Sequence, residues 1–381
     1  MADLTTSYVG LTLNNPIIVS SAGISGTAEM IRRAADAGAG AVSMKSLGDR
    51  HWTSPRMAVL KRGNSIDSWT FYSSEGNSKL SEEEYAAEIA LAKASVSIPV
   101  IASLSCMNDD DWVRRSTLIA QAGADALELD ISCPHAAHML ITRNSLSEIG
   151  RVTALVKSTV SIPVIPKLTP QSDDPTTVAL DAQNGNADAV VMFNRFTGLD
   201  VDLESQQPIL HGGLAGHGGP WAIYYVMRWI SEAYPKMTIP ISSSGGVWSG
   251  EDVAKMLLVG ATTVQTCTAV YFEGYSVLSK MVRGLEDYMD RMGHQQVSDF
   301  RGRAAARLTS AAVIDRGRQY LATIDPERCI ECGECANICI YDAPNPASSG
   351  GYEIIPGLCV GCGLCAELCP VGSISVREVS R

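Results

Sequence analysis

Residues 97–103 read SIPVIAS, and nearly the same letters return at 161–167 as SIPVIPK and at 238–244 as TIPISSS. In each copy a proline precedes a short apolar run, and proline is tolerated at the first residue of a strand. Between the copies, small-residue turns lead into further apolar runs, which also predict strands. The eight predicted strands lie within residues 15–23, 38–46, 97–103, 123–132, 161–167, 186–194, 238–244 and 260–270.

Amphipathic or alanine-rich segments separate these strands and predict helices. Their apolar residues recur at helical spacing, and the segments end at a glycine or a polar turn. Five of them lie at residues 28–38, 85–95, 111–123, 147–158 and 251–260. Eight strands that alternate with helices predict an α/β fold, the (β/α)8 TIM barrel. A doubly wound open sheet is the rival fold, and it is less favoured because no GxGxxG follows any strand.

The composition describes a globular protein with a large interior. Hydrophobic residues make up 46% of the 381 residues, and charged residues make up 19%. The net charge of −11 argues against nucleic acid as a partner, because binding a phosphate backbone needs a basic stripe. The first residues lack a secretory pattern, and the uncharged window 256–272 is shorter than the ~20 apolar residues of a membrane span. We therefore expect a cytoplasmic protein with no membrane span.

Polar side chains follow several predicted strands, and in a barrel the carboxyl ends of the strands meet at one mouth. A glycine pair at 245–246 follows strand seven, and its N–H groups, with residues 267–268 after strand eight, can approach a phosphate. An ordinary tight loop is the alternative. Lys45 and Lys167 end strands two and five. They are either solvated rim lysines or groups that stabilise an anion near a cofactor ring, and their strand-end positions favour the second interpretation.

These motifs resemble the dihydroorotate dehydrogenase family, and more closely the pyrimidine half of dihydropyrimidine dehydrogenase with its fused ferredoxin. The matching pieces run over nearly the whole chain in the family's order. They are NNPIIVSSAG at 14–23, AGAVSMKS at 39–46, SPR at 54–56, IASLSCMNDDDW at 101–112, ELDISCPH at 128–135, PVIPKLTP at 163–170, SSSGGVWSGEDV at 242–253, GATTVQTCTAV at 260–270 and the C-terminal cysteines.

The resemblance implies FMN across the barrel mouth. Its phosphate is expected on the glycine pair and on residues 267–268, and its ring near Ala22, Lys45 and Lys167. The implied cofactor-binding residues are Ser21, Ala22, Lys45, Ser46, Lys167, Gly213, Ser244, Gly245, Gly246, Cys267 and Thr268.

Cys133 matches the family's mobile-loop cysteine, which exchanges a proton at the substrate carbon next to the one that exchanges hydride with the flavin. A buried, inert cysteine is the alternative, and its position at the end of strand four favours chemistry. His135 matches the dihydropyrimidine enzymes, where the dihydroorotate enzymes carry asparagine. The residues implied to bind substrate are Asn108, Asp130, Ser132, His135, Asn194 and Arg195.

Two positions depart from the family pattern. Asp130 stands in place of an asparagine, and Arg195 stands in place of the threonine that follows Asn194 in the family. An ionised aspartate only accepts hydrogen bonds, whereas the amide it replaces also donates. One hypothesis is that Arg195 binds a substrate carboxylate or polarised oxygen while Asp130 accepts from a hydroxyl or N–H, so that the substrate is not plain uracil. The other is that the two side chains pair with each other across the mouth.

The segment after strand two, residues 48–80, is too long for a simple βα loop and contains Trp52, Trp69, Phe71 and Tyr72. Insertions at a barrel mouth commonly shape a pocket or contact a partner. Packing of the insertion into the core is the alternative, and the sequence leaves both open.

Eight of the eleven cysteines follow residue 325, in two arrays with the C-x2-C-x2-C-x3-C spacing of two-cluster bacterial ferredoxins. In that spacing the fourth cysteine of each array crosses to the other cluster. Zinc is the alternative for paired CxxC motifs, and two crossing arrays make it much less favoured. The two predicted [4Fe-4S] clusters have the ligand sets Cys329, Cys332, Cys335, Cys369 and Cys339, Cys359, Cys362, Cys365.

Three regions are expected from these patterns. Residues 1–298 form the FMN-binding barrel, residues 299–321 a basic linker or docking helix, and residues 322–381 an α+β domain of the 2[4Fe-4S] bacterial ferredoxin type. Residues 301–320 hold five arginines and one aspartate, which an ordinary solvated helical face also explains.

Clusters beside a flavin predict an oxidoreductase that reduces, or in reverse forms, a C=C bond conjugated to a carbonyl in a small cyclic substrate. No dinucleotide fingerprint is present, so we expect a separate FAD/NAD(P)H diaphorase subunit or a ferredoxin as electron partner, in a homo- or hetero-oligomer. Two alternatives stay open. One is a reductase of a carboxylated N-heterocyclic or dienoyl substrate, and the other is an electron-relay subunit whose barrel has lost catalysis.

Overall fold

The eight predicted strands form one parallel sheet in the computed structural model, which describes residues 2–49, 58–61, 65–131, 146–210 and 214–379. We number the barrel strands β1 to β8. Their bounds are β1 Ile17–Val19, β2 Ala41–Ser43, β3 Val100–Ser105, β4 Ala126–Leu129, β5 Val164–Pro166, β6 Val190–Met192, β7 Ile241–Ser244 and β8 Thr263–Thr266.

The sheet curls into a nearly closed barrel. Hydrogen-bonded neighbours run in the order β5-β4-β3-β2-β1-β8-β7-β6, every pair being parallel. The two ends of this path, β5 and β6, meet through one parallel bridge between Lys167 and Val191. The predicted TIM barrel is therefore confirmed, and the carboxyl ends of all eight strands share one mouth.

The lower interior of the barrel is filled by alternate apolar residues of its strands, including Ile18, Ile101 and Ile165. An antiparallel hairpin, Thr6–Tyr8 with Leu11–Leu13, closes the bottom. Its Tyr8 and Leu13 are fully buried against the same residues. Because apolar packing plugs this end, the mouth is the end that is open to a ligand.

Helices surround the barrel, and the five predicted ones are confirmed. Thr27, Ser81 and Ser249 cap their N-termini with side-chain hydrogen bonds, as such residues favour. We number the helices α1 Ala28–Asp36, α2 Glu82–Ser95, α3 Asp109–Gln121, α4 Leu146–Lys157, α5 Pro175–Asn184, α6 Ile223–Ala233, α7 Gly250–Leu258, α8 Thr268–Glu273 and α9 Ser276–Met292. A two-residue strand, Leu47–Gly48, extends the sheet beside β3.

The insertion after β2 folds into a small sheet at the mouth. Its strands Ala58–Lys61 and Thr70–Ser73 pair antiparallel, and the second also pairs with Ala215–Gly218 from the loop before α6. Phe196–Gly198 completes this four-stranded sheet, and Val201–Asp202 pairs with Gln207–Pro208 nearby in the chain. Two segments that the sequence left without a defined structure thus meet in one element.

The C-terminal part has its own small fold. Contacts divide the chain into two units, Met1–Arg307 and Leu308–Arg381, and the division falls inside the predicted linker 299–321. In the second unit Gln319–Ile324 pairs with Ile374–Val379, and Pro344–Pro346 pairs with Tyr352–Ile354. Two short helices, α10 Glu334–Ile338 and α11 Leu364–Glu367, each contain the third cysteine of an array.

The linker region 299–321, which the structure describes throughout, contains the 3-10 turns Ala305–Arg307 and Ala311–Val313 but no α-helix. The helical alternative for this region is therefore wrong, and its role as a linker stays a prediction. Gly302 takes a left-handed backbone with φ 74°, a conformation that ends helices rather than continuing them.

Nothing in the part of the chain that the structure describes is a helix of the length and apolar character needed to cross a membrane. The uncharged window 256–272 instead covers the end of α7, the buried strand β8 and the short α8.

Candidate active site

A cavity opens at the mouth of the barrel, and its walls surround about 1080 Å³ of space, part of which is open solvent. Side chains and backbone from the ends of most barrel strands line it, together with the small sheet at the mouth. The predicted site residues among its lining are Ser21, Ala22, Lys45, Ser46, Asp130, Lys167, Asn194, Arg195, Ser244, Gly245, Gly246, Cys267 and Thr268. The fold thus brings together residues that are far apart in the chain.

A buried ion pair forms the floor of this cavity. Lys167 Nζ donates to Glu128 Oε1 at 3.1 Å and to Gln265 Oε1 at 2.9 Å, and Gln265 Nε2 donates to Glu128 Oε2 at 2.7 Å. Ser20 Oγ donates to Gln265 Oε1 at 3.1 Å. Lys167 and Glu128 are almost fully buried, so each charge depends on the other for compensation. Lys167 is therefore held at a fixed point at the base of the cavity.

Lys45, at the end of β2, pairs with a residue of the insertion. Its Nζ lies 3.4 Å from Glu75 Oε2, and the two side chains are 14% and 10% exposed. Tyr271 Oη, from α8, lies 3.4 Å from the same Glu75 oxygen. Burial lowers the pKa of Lys45, although the Glu75 carboxylate opposes that shift. Burial also raises the pKa of Tyr271, so this side chain is a hydrogen-bond donor at neutral pH.

Hydroxyl groups connect Ser21 to Asp130 along the cavity wall. Ser46 Oγ lies 2.9 Å from Ser21 Oγ and 2.9 Å from Ser103 Oγ, and it is 3.5 Å from Asp130 Oδ2. Asn194 Nδ2 donates to Asp130 Oδ1 at 2.7 Å. Burial raises the pKa of Asp130, an effect that Lys167 opposes. A proton can therefore be held on this carboxyl at a higher pH than on an exposed aspartate.

Arg195 takes a different partner from the one that the pairing hypothesis expected. Its Nη2 donates to the backbone carbonyl of Glu75 at 3.0 Å, and its side chain lies against Gly216, where a Cβ atom would stand 2.1 Å from Arg195 Cδ. Among the described residues, neither Asp130 nor any other carboxylate forms an ion pair with Arg195. The pairing alternative is therefore wrong, because the insertion supplies the carbonyl that binds the guanidinium.

The turn after β7 fits a phosphate group. Gly245 and Gly246 have φ of 118° and 82°, and a Cβ atom on Gly246 would lie 2.3 Å from the Ile223 backbone nitrogen. Only glycine allows both this backbone and this close approach. Burial raises the pKa of the Cys267 thiol to about 12, so Cys267 is a neutral thiol at the cavity wall. The turn therefore offers backbone N–H groups beside uncharged side chains.

Some predicted site residues lie elsewhere. Asn108 is the N-cap of α3, where its Oδ1 accepts from the Asp111 backbone N–H at 2.9 Å, and it does not line the cavity. Ser132, Cys133, His135 and Gly213 lie outside the described residues.

The sequence did not single out several residues that line the cavity. From the insertion come Ser73, Glu75 and Asn77. Phe71, which was named from the sequence, also lines the cavity and stacks on Tyr271 with ring centroids 4.6 Å apart. His217 stacks on Tyr72 at 5.4 Å, and burial lowers its pKa. The available signal was the length and the aromatic content of the insertion. Its residues are near the site only because the antiparallel sheet folds over the mouth.

Two further cavities lie in the C-terminal unit, and each is lined by four cysteines. One set is Cys329, Cys332, Cys335 and Cys369. The other set is Cys339, Cys359, Cys362 and Cys365. In both sets three cysteines come from one array and the fourth comes from the other array, as the ferredoxin spacing predicts.

Among the described residues, no three Cys, His, Asp or Glu side chains converge closely enough to hold a single metal ion. A single zinc ion needs four ligand atoms at about 2.0 to 2.3 Å from one point. The cysteines instead surround cavities, and this arrangement fits a group of several iron atoms better than one ion.

The sequence matches two known families. Residues 3–289 match the family described as Dihydroorotate dehydrogenase, and residues 322–376 match the 4Fe-4S dicluster domain. The first match covers the barrel, and the second covers both cysteine arrays.

Curated relatives agree with these matches. The chain is 32% identical over 299 residues to dihydroorotate dehydrogenase B (NAD(+)), catalytic subunit, of Pyrococcus furiosus, which covers 77% of this chain and 96% of that protein. It is 29% identical over 367 residues to the NAD-dependent dihydropyrimidine dehydrogenase subunit PreA of Escherichia coli K12, which covers 91% of this chain and 87% of that protein. The chain therefore belongs to the dihydroorotate dehydrogenase family of flavin-dependent oxidoreductases that act on CH–CH bonds, here with a C-terminal 4Fe-4S domain.

Proposed function

We propose that this protein is an FMN- and iron–sulfur-dependent oxidoreductase that reduces, or in reverse forms, a C=C bond conjugated to a carbonyl in a small cyclic substrate. One observation carries the proposal: the mouth cavity combines a glycine turn, two lysines and a cluster of polar side chains that could bind a polar substrate. When bound, the flavin supplies or accepts a hydride at the β carbon of the substrate.

The residues of the cavity have complementary roles in this proposal. Gly245 and Gly246 would hold the phosphate, and Lys45 and Lys167 would face the ring system, where a cation stabilises negative charge on a reduced flavin. Both lysines are kept in place by carboxylates, which supports a positional role for them.

Cys133 is proposed to move the second hydrogen as a proton. In the direction of reduction its thiol would give a proton to the α carbon while hydride reaches the β carbon, so that two electrons and two hydrogens are added to the C=C bond. In the sequence Cys133 comes three residues after Asp130, and Asp130 lines the mouth cavity, which supports the role.

The two cysteine sets are proposed to hold two [4Fe-4S] clusters, which carry single electrons. Each cavity is lined by three cysteines of one array and the fourth cysteine of the other array, and this arrangement supports the ligand assignment. A separate redox subunit or a ferredoxin is the proposed electron partner. The relatives are themselves named as a catalytic subunit and as subunit PreA, which supports a partner chain.

The substrate is proposed to carry a carboxylate or a similar anionic oxygen near Arg195. In the described cavity lining, Lys45 and Lys167 have carboxylate partners, whereas Arg195 has a carbonyl partner only. A guanidinium that has no carboxylate partner at a cavity mouth favours a bidentate anionic group on the ligand. Asp130 would accept a hydrogen bond from a hydroxyl or N–H of the same ligand.

The first test is anaerobic reduction of the holoprotein with dithionite, followed by mixing with uracil, thymine, orotate and unsaturated cyclic acids. Reoxidation of the flavin is followed optically. Reoxidation by one or more of these compounds supports the oxidoreductase proposal. If none of them reoxidises the flavin, an electron-relay role becomes the better account of the chain.

The role of Arg195 is tested with Arg195→Gln. For a carboxylated substrate we expect KM to rise about 10-fold to 100-fold, because a charge-assisted hydrogen bond contributes roughly 1.5–3 kcal/mol. For an uncharged substrate we expect little change. Arg32→Gln, on the exposed face of α1, is the matched control, because the ion pairs of Arg32 within the described residues are those with Glu29 and Asp36 on that helix. Equal losses for charged and uncharged substrates would count against the carboxylate.

A further inference from the structure

The C-terminal unit is built from two equivalent halves. Each cysteine of the first array has a counterpart in the second, and α10 and α11 occupy the same place in each half. The glycines that precede these helices, Gly333 and Gly363, have φ of 78° and 82°. Residues can therefore be compared in pairs that share one local backbone.

The segment after the fourth cysteine is one such pair. Asp342 and Gly372 have φ of 53° and 59°, and the residues that follow them accept equivalent hydrogen bonds. The Ala343 carbonyl accepts from Ile355 N at 2.7 Å, and the Ser373 carbonyl accepts from Asp325 N at 2.7 Å. Ala343 and Ser373 thus occupy matching positions, and both are buried.

The two halves differ at these positions in one hydroxyl group. Ser373 Oγ lies 3.2 Å from Cys369 Sγ, and the Ser373 backbone N–H donates to the same sulfur at 3.2 Å. A cysteine that binds a cluster is a thiolate without a proton, so the Ser373 hydroxyl must be the donor. Ala343 has no hydroxyl to offer to Cys339.

We infer that Ser373 is a positioning residue that makes the two clusters unequal, by raising the reduction potential of the cluster held by Cys329, Cys332, Cys335 and Cys369. This inference rests on the proposed two-cluster function. Hydrogen bonds to cysteine sulfur are among the factors that set cluster potentials. One-electron reduction adds negative charge to the cluster and its sulfurs, and a donor at Cys369 stabilises that charge.

The two clusters also differ in nearby carboxylates. Glu331 and Glu334 flank Cys332, whereas their counterparts in the second half are Gly361 and Leu364. Both glutamates are exposed, so salt screens their effect, whereas the buried Ser373 acts directly on a ligand atom. The effect of a substitution at residue 373 on the midpoint potential should therefore be measurable despite the charge of these two glutamates.

The test is an EPR-monitored redox titration of the full-length holoprotein and its variants, after iron and sulfide have been counted. For Ser373→Ala we expect the midpoint potential of one cluster to fall. The equilibrium constant of reduction should decrease about tenfold, which corresponds to a fall of about 59 mV for a one-electron couple. The midpoint potential of the other cluster should remain unchanged. Ser373→Thr, which keeps a hydroxyl, should keep the wild-type value, and Ser348→Ala at an exposed loop position is the control.

Ala343→Ser supplies the reciprocal test. It places a hydroxyl beside Cys339 and should raise the midpoint potential of the other cluster. Two unchanged midpoints in Ser373→Ala, or equal shifts of both, would overturn the inference. A wild-type protein that binds only one cluster, or none, would instead contradict the proposed function, so the two failures are distinguishable by the iron and sulfide count.

Discussion

Lys167 and Glu128 illustrate how single residues are fixed inside this barrel. Both point from adjacent parallel strands into the interior, above the apolar layer that contains Ile101 and Ile165. Their mutual hydrogen bond and the bridging Gln265 satisfy charges that burial would otherwise penalise. The pair is thus part of the stability of the barrel as well as of the site.

Lys167→Met should lower the free energy of unfolding of the barrel by about 3–5 kcal/mol, because it leaves Glu128 charged, buried and without its cation. All six tryptophans lie within residues 1–307, so urea unfolding followed by tryptophan fluorescence reports on the barrel alone. Adding Glu128→Gln to this variant should recover much of the loss. A double variant no more stable than the single one would contradict the role of the uncompensated charge.

Asp130 gives a prediction about pH. Burial raises its pKa above the ordinary value of 3.8, so the folded protein binds this proton more tightly than the unfolded chain does. The contribution of Asp130 to the free energy of unfolding is therefore greatest at low pH and falls as the pH rises through the raised pKa. Relative to the wild type, Asp130→Asn should become more stable as the pH increases from about 4 upward.

The control for this pH effect is Asp202→Asn. Hydrogen bonds from Ser205 lower the pKa of the exposed Asp202, so its contribution is present at neutral pH and is lost as the pH falls. The two variants should therefore differ from the wild type with opposite slopes against pH in urea unfolding. Parallel slopes would show that the Asp130 carboxyl is not penalised by burial.

The turn between β7 and α7 is the element on which the proposed cofactor site depends most. Gly246→Ala should destabilise the barrel by more than the roughly 1–3 kcal/mol of a left-handed non-glycine residue, because its Cβ would also meet Ile223. We also expect a large fall in the flavin bound after purification, measured by absorbance. Gly274→Ala, with φ of 73° and no atom within 4 Å of its Cβ, is the control for backbone strain alone. Equal flavin contents in the two variants would show that this turn does not bind the flavin.

The insertion is an element whose role depends on pairing with a distant segment. Thr70–Ser73 pairs with Ala215–Gly218, and this pairing places Glu75 beside Lys45 and beneath Arg195 in the cavity lining. Trp69 instead packs on Phe272 with ring centroids 5.0 Å apart. Both interpretations of the insertion were therefore partly right, because it shapes the pocket and also packs through one aromatic residue.

At the scale of the whole molecule, the two units differ in what stabilises them. The barrel unit has an extensive apolar core, whereas the described part of the C-terminal unit has a small core cluster in which Ala322, Cys335 and Ile374 are buried. A unit this small with so few buried apolar residues usually needs metal or disulfides to remain folded. The two cysteine-lined cavities lie beside this minimal core.

Removal of iron from the holoprotein should therefore unfold residues 308–381 while the barrel stays folded. Limited proteolysis should cleave within 308–381 after iron removal, and the tryptophan-detected unfolding of the barrel should keep its midpoint. The untreated holoprotein, digested in parallel, is the control. Resistance of the C-terminal unit after complete iron loss would show that its apolar packing suffices.

The sequence by itself determined the barrel and the cysteine pattern. Strand repeats, helix periodicity and ligand spacing are local properties of the chain, so residues 97–103 and their copies predicted strands correctly. The same locality explains why strand-end residues such as Lys45, Asn194 and Gly246 were identified and do line one cavity. The parallel arrangement brings all strand ends to one mouth, and no further detail of packing is needed for that inference.

Only the tertiary structure decided which partner each charged group takes. Arg195 binds the carbonyl of Glu75, a residue 120 positions away, and Asp130 binds Asn194 rather than Arg195. Asn108 matched a motif, yet its side chain caps α3. The Arg195 contact depends on antiparallel pairing between the insertion and the loop before α6, which has no local signature in the sequence. Side-chain partners follow from distances in the folded chain, and those distances are set by all the contacts together.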